Sequence, residues 1–407
     1  MKLPAGAKRE IVFIAVVLAV CGALYLAPST PQLLSQRGTT ATARVLSVDN
    51  ANLQQHGLVR AGSQLLEVEI LDGELTGKRF RAGNELRGQP ELDKEFRVGD
   101  TAVVAIPAEV DPASTMLTAR DHYRNGWGIV LFGGFCILLC VFGSWTGVKA
   151  LFSFVFSCLA IWKLVIPLVL RGYSASWVIF GAVALLTAVI VWLVAGLSRK
   201  GVAAFAGSAL GVLAGLGMAH GFGRLMHING ATLPYVQTLL YSGYETLDLP
   251  DIFIGATILA GSGAVMDLAM DIAAGVEEVA RHNPRLSARE LALSGIRIGR
   301  SVVGTMTTTL LLAYSGGYLS LLMVFASQGT PVSEFLNSQL VAAETVKTLI
   351  GSFALILVAP FTAAVAGWVF RSRTMRGFMY YRRHLRRRSL RAKMSRIVRT
   401  AEENASK

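Results

Sequence analysis

The sequence predicts a polytopic α-helical membrane protein with about eight transmembrane helices and one small β-rich domain, OB- or SH3-like, outside the membrane. Three observations predict it. Of 407 residues, 53% are hydrophobic and only 16% are charged, against roughly 25% charged in an average soluble domain; the mean hydropathy is +0.51. The apolar residues are gathered into long blocks, as a bilayer requires. Residues 28–125, ahead of the long apolar blocks that follow, are hydrophilic over a long stretch and partly alternate polar with β-branched residues. The composition excludes a disordered chain, and 41 Gly without a G-X-Y period exclude a collagen-like one.

The expected organisation is an N-terminal membrane anchor (1–27), the extracytoplasmic β-rich domain (28–125), a multi-span membrane domain (126–370) and a basic cytoplasmic tail (371–407). The spans are residues 11–27, 127–146, 151–170, 177–197, 202–222, 252–274, 301–326 and 348–370. Each approaches or exceeds the ~20 residues that cross about 30 Å of hydrocarbon. Leu18-Ala19-Val20-Cys21 resembles a lipoprotein cleavage box, but Val20 stands where a small residue is needed, so the first span reads as an uncleaved anchor.

Charge sets the orientation. With the N-terminus inside, the inner segments hold 24 Lys/Arg, 13 of them in the tail, and the short outer segments hold only Arg171, Arg224 and Lys347. Basic residues favour the cytoplasmic side, so both termini are expected there, in a bacterial cell (inner) membrane. The net charge of +13 is concentrated in residues 371–407. That pattern implies anionic lipid at the tail as a partner of the bilayer-embedded body, rather than nucleic acid.

Within the insert, residues 43–48, 65–71, 78–82 and 101–106 read as strands, with Asp72-Gly73 and Thr76-Gly77 as turns. Four or five short strands suggest a small barrel, serving as a spacer or assembly domain. Its 11 basic and 13 acidic residues are balanced.

In the membrane part, Gly207, Gly211 and Gly215 recur every four residues, extended by Ala203 and Ala219. A matching row, Ala256, Ala260 and Ala264, lies in the sixth span. Small residues at this spacing let helix backbones approach, so these two spans are expected to pack together. Residues 233–244 and 331–344 are amphipathic pieces too short to span, suited to the interface. Between the sixth and seventh spans, Asn283-Pro284 breaks a helix, and Ser287-Ala288-Arg289-Glu290 has the spacing of a capping box that starts another. The cysteines, Cys21, Cys136, Cys140 and Cys158, all lie in apolar runs and read as small buried hydrophobes.

Intramembrane charge marks the candidate site. Asp267 sits about seven residues, roughly 10 Å, from the inner end of its span. A carboxylate at a helix centre costs ~2.5–3.5 kcal/mol, so it needs a partner, water or a proton. Asp271 follows at i+4 on the same face; two like charges one turn apart favour a retained proton or a bound cation. The seventh span offers Ser301, Thr305, Thr308 and Thr309 at similar depth. Those hydroxyls either solvate a carboxylate or an ion, or bond their own i−4 carbonyls. Arg297 and Arg300 are candidate counter-ions near the inner surface. Lys163 is a further intramembrane charge, followed by Pro167 at i+4; it either snorkels outward or serves as a counter-ion. No Walker loop, zinc motif or Ser/His/Asp spacing is present, and His220 and His227 are seven apart. No cofactor, metal or enzymatic activity is expected.

The run Gly263-Ala264-Val265-Met266-Asp267, with Ser294-Gly295, Ile298-Gly299-Arg300, Gly304-Thr305-Met306-Thr307 and Ala313-Tyr314, resembles the YibE/F family of bacterial membrane proteins. The resemblance covers most of the chain and implies a β-rich outer insert after the first span. It also implies uncharged Ser and Asn where this chain has Asp271 and Thr308. A fainter likeness connects the Asp-bearing span, the Glu/Arg-rich cytoplasmic helix and the Thr-rich span to SecD/SecF and RND permeases, which use proton flow to move substrates or chains. The expected function is a proton- or ion-coupled permease or export-assisting protein. The alternative is a non-transporting scaffold or regulator of envelope proteins, with a homo-oligomer or an envelope protein as partner.

Overall fold

The computed structural model describes residues 19–23, 25–26, 38–57, 59–90, 92–107, 115–196 and 198–371. The expected first span therefore falls largely outside the described residues, as does nearly all of the basic tail. The chain forms two compact units, one of residues 32–144 and one holding the remaining described residues.

The first unit contains a closed β-barrel. Its strands are β1 (Gly38–His56), β2 (Val59–Ile70), β3 (Arg79–Arg87), β4 (Thr101–Pro107) and β5 (Met116–His122), in the order β1-β2-β3-β5-β4. β1 is long enough to pair with both β2 and β4, and β3 meets β5 in parallel. Alternation puts Val45, Val68, Phe80, Ala82, Val104 and Leu117 inside. Gln64 and Asn84 are also fully buried, and they bond to each other: Asn84 Nδ2 donates to Gln64 Oε1 at 2.8 Å. Asn84 donates further to the Lys94 carbonyl, and Gln64 Oε1 accepts from the Phe96 N–H. These bonds strap the β3–β4 connection over one end of the barrel.

The rest is helical: α1 (Asn125–Ala160), a π-turn (Ile161–Val165), α2 (Ile166–Leu170), α3 (Ala175–Ala195), α4 (Arg199–Leu225), α5 (Val236–Tyr241), α6 (Leu249–His282), α7 (Ala288–Gly317), α8 (Leu319–Ser327), α9 (Val332–Asn337) and α10 (Gln339–Arg371). Among the described residues, five helices are long and apolar enough to cross a membrane, or six if the bent pair α7–α8 is one span. That agrees with a membrane protein; the count of about eight is not shown, since the first expected span lies largely outside the described residues. Residues 127–146 and 151–170 merge into one 46-residue run, Asn125–Leu170. It is broken at Ser144 (φ 49°, ψ −132°), where the two units also divide. The expected span 301–326 is bent by 66° between α7 and α8, just after Gly316 and Gly317. The amphipathic pieces appear as the short helix α5 and as α9 followed by the start of α10.

α6 is the centre of the bundle, with α3, α4, α7 and α10 around it. Leu268, Ala269, Ile272, Ala273 and Val276 are fully buried on it. The two spans expected to pack together, α4 and α6, do so, but not by glycine row against alanine row. The glycine row receives α10: a Cβ on Gly207 would lie 2.0 Å from Thr362 Oγ1, one on Gly211 2.9 Å from Val358, and one on Gly215 3.0 Å from Ala354. Against the same row α6 sets its larger side chains, Val265 and Ile258, while Ala260 is exposed. Nor are the cysteines uniformly buried: Cys158 is exposed and the other three are half-buried.

Candidate functional site

The connection between α6 and α7 forms as its residues dictate. α6 ends at His282, and Ser287 caps α7 in a reciprocal box: Ser287 Oγ accepts from the Glu290 N–H at 3.3 Å, and Glu290 Oε2 accepts from the Ser287 N–H at 2.7 Å. α7 then runs back along α6. A Cβ on Gly295 would lie 2.9 Å from Val276, one on Gly299 3.2 Å from Ile272, and one on Gly275 2.6 Å from Ile298. Further out, the Tyr314 hydroxyl is 3.7 Å from the corresponding position on Gly261. The pairing is thus antiparallel and holds its register across the membrane. Interpolating between these contacts puts Asp271 level with about Ser301, and Asp267 level with about Thr305.

The carboxylates and hydroxyls therefore share a depth. They also flank one seam, because Asp267, Asp271 and Gly275 form an i, i+4, i+8 stripe, and Ile298, Ser301 and Thr305 an i, i+3, i+7 stripe. All five polar residues, Asp267, Asp271, Ser301, Thr305 and Thr308, are exposed on the surface of the single chain, as is Thr309. Each hydroxyl donates to its own helix: Ser301 to the Ile298 carbonyl at 2.7 Å, Thr305 to Val302 at 2.9 Å, Thr308 to Gly304 at 3.1 Å and Thr309 to Thr305 at 3.0 Å. Their protons are used, so what they present outward is oxygen lone pairs. Lone pairs suit a cation and do nothing for a carboxylate anion.

The expected counter-ions are not assembled within the chain. Among the described residues, neither Asp267 nor Asp271 has an ion-pair or hydrogen-bond partner. Ile298 faces α6, and Arg300 two positions on points about 200° round the helix. Arg297 and Arg300 are both exposed. Lys163 lies in the π-turn, which packs on α3, and is not brought to the carboxylates. In the family-like motifs, Gly295 and Gly299 serve packing: they admit Ala363 and Ala359 of α10 on one side and α6 on the other.

A second polar cluster, at the opposite end of the bundle, was not legible as a group. Asp251, in the first turn of α6, accepts from Ser174 Oγ at 2.8 Å and from the Ser176 N–H at 3.2 Å, at the start of α3. Its other oxygen is 3.8 Å from His220 Nε2 on α4, with the Asp251 side chain only 13% exposed. His220 Nδ1 meets the Leu216 carbonyl at 3.1 Å. The cluster staples three helix ends. The only local sign of it is Asp251 in the first turn after Pro250; its partners come from residues distant in sequence.

A family model, described as YibE/F-like protein, matches residues 131–372. The chain belongs to the YibE/F-like family. The match spans α6, α7 and α10, so the Asp267 stripe, the paired glycines and the hydroxyl stripe all lie within the family region. No curated protein and no solved structure matches this YibE/F-like chain, so the likeness to SecD/SecF and RND permeases is not shown.

Proposed function

We propose that this YibE/F-like protein is a proton- or ion-coupled permease or export-assisting protein of the bacterial inner membrane, with both termini cytoplasmic. One observation carries the reading: two carboxylates on a membrane helix have no cationic partner among the described residues and lie level with a stripe of outward-facing hydroxyl oxygens. A proton or a small cation completes that site chemically. The basic tail holds the cytoplasmic end to anionic lipid. The barrel acts as an outer spacer or assembly domain, and its parallel β3–β5 closure favours an OB-like over an SH3-like reading.

The test is Asp267→Asn, which keeps the shape and removes the titratable group. Reconstituted in liposomes with an internal pH dye, the wild type passes protons or responds to a cation gradient and the variant does not, although it inserts normally because an amide is cheaper to bury than a charge. Thr305→Val, which removes one oxygen at the same depth, gives a smaller loss. Wild-type flux in Asp267→Asn overturns the proposal. It leaves the second reading, a scaffold for envelope proteins, which the exposed small-residue faces of α6 and α7 favour.

A further inference from the structure

We infer that a second copy of this chain covers the open face of α6 and α7 and supplies the missing counter-charge, Arg300 of one copy meeting Asp271 of the other. No described residue of the single chain covers the face. Of the 30 residues of α7, only Leu291, Gly295 and Gly299 are buried, all in its inner half; α8 has none. What α7 exposes is not suited to lipid. Arg297, Arg300, Gly304 and Thr308 follow one another at spacings of three, four and four, a single stripe, and every one is exposed. The neighbouring edge of α6 exposes Ala260, Gly263, Asp267, Asp271 and Ala274 at the same spacings. Hydrocarbon satisfies neither stripe, and an anionic headgroup would satisfy only the basic one.

The two stripes are complementary and at matched depth. The contacts along the seam put Arg300 level with about Asp271, yet the direction of Arg300 takes it away from its own α6. A two-fold axis along the membrane normal keeps depth unchanged and brings the α6 edge of one copy to the α7 edge of the other, so each acidic stripe meets a basic one twice over. Such an interface is self-complementary, as a closed dimer requires. The small residues let it close: Gly263 and Gly304 have nothing within 4 Å of a Cβ position, so another backbone can approach there. Asp267, one turn further out, then faces hydroxyl oxygens from both copies. The inference concerns the same carboxylates as the coupling proposal but does not depend on transport.

The experiment measures the mass of the full-length protein in nanodiscs. The wild type is expected as a dimer. Asp271→Arg and Arg300→Asp each set like charges against each other and should weaken association by about tenfold or more, since a desolvated charge pair broken on one side is costly. The doubly exchanged chain should recover the dimer. Independently, two differently tagged copies free of native cysteine, one Gly263→Cys and the other Thr308→Cys, should form a disulfide joining both tags in native membranes. A monomeric wild type, dimers unaffected by either single exchange, or an absent cross-link between correctly inserted copies overturns the inference, whatever the flux assay shows.

Discussion

Replacing the glycines of α4 one at a time by alanine should give a graded series, ordered by what each new methyl meets. At Gly207 the Cβ would fall 2.0 Å from Thr362 Oγ1 and 2.7 Å from Thr362 Cα. The second atom is backbone, so no rotamer change relieves it and the two helices must separate. At Gly211 the nearest atom is the Val358 Cβ at 2.9 Å, and at Gly215 the Ala354 Cβ at 3.0 Å, with its Cα a full 4.0 Å away. Gly217 has nothing within 4 Å. Overpacking a core costs about 1–3 kcal/mol, whereas alanine in place of glycine in an open helix gains up to about 1 kcal/mol. Gly207→Ala is therefore expected to destabilise by about 2 kcal/mol net and Gly211→Ala by about 1 kcal/mol, with Gly217→Ala neutral or mildly stabilising, by combining those two terms. Gly215→Ala should be nearly neutral, and Ala354→Gly should rescue whatever loss it shows. Thermal unfolding in one detergent, followed by a thiol-reactive dye or by aggregation onset, reads the order. Equal losses at Gly207 and Gly217, or a Gly215→Ala loss that Ala354→Gly leaves unchanged, would refute the reasoning that α10 seats in this row.

Two further outcomes follow from charge. In the barrel, partial desolvation of Asp93 opposes its ionisation, but it accepts the Arg87 N–H at 2.8 Å and the Gln89 N–H at 2.7 Å, and together with the Gly88 N–H these hold its carboxyl below the ordinary carboxylate value. A depressed folded value means a contribution that is present above the unfolded pKa, about 3.9, and is lost as pH falls through the lower folded one; hydrogen exchange at residues 87–93 should accelerate relative to the rest of the barrel over that acid range, and Asp93→Asn should abolish the extra pH dependence. For topology, cysteine labelling in a cysteine-free background should find residue 90 outside and residues 285 and 395 inside, following the 24-to-3 bias of basic residues; labelling of residue 285 from outside would reverse the orientation.

Features that depend on local pattern were legible from the residues alone. Apolar blocks set where long helices lie, because length and hydropathy alone decide whether a segment suits a bilayer. Ser287 and Glu290 announced their cap because a capping box closes within one turn. Asp267 and Asp271 shared a face at sight, since i and i+4 do so in any α-helix. Which surfaces meet depends on contacts between residues far apart in the chain, and only the folded molecule shows it. A row of glycines offers a groove without naming its occupant, and the occupant proved to be Thr362, Val358 and Ala354, some 140–155 residues away, while the alanine row of α6 turns elsewhere. The break at Ser144 has no local signal, as serine carries no preference for a positive φ. Inside the barrel lie Gln64 and Asn84, two polar residues that composition would place at the surface and that are held by a bond to each other and by the Phe96 N–H and the Lys94 carbonyl of the β3–β4 connection. That neither Arg297 nor Arg300 pairs with Asp267 or Asp271 was likewise beyond the sequence: both lie at the right depth, and it is the direction set by packing Gly295 and Gly299 into the bundle that turns them away.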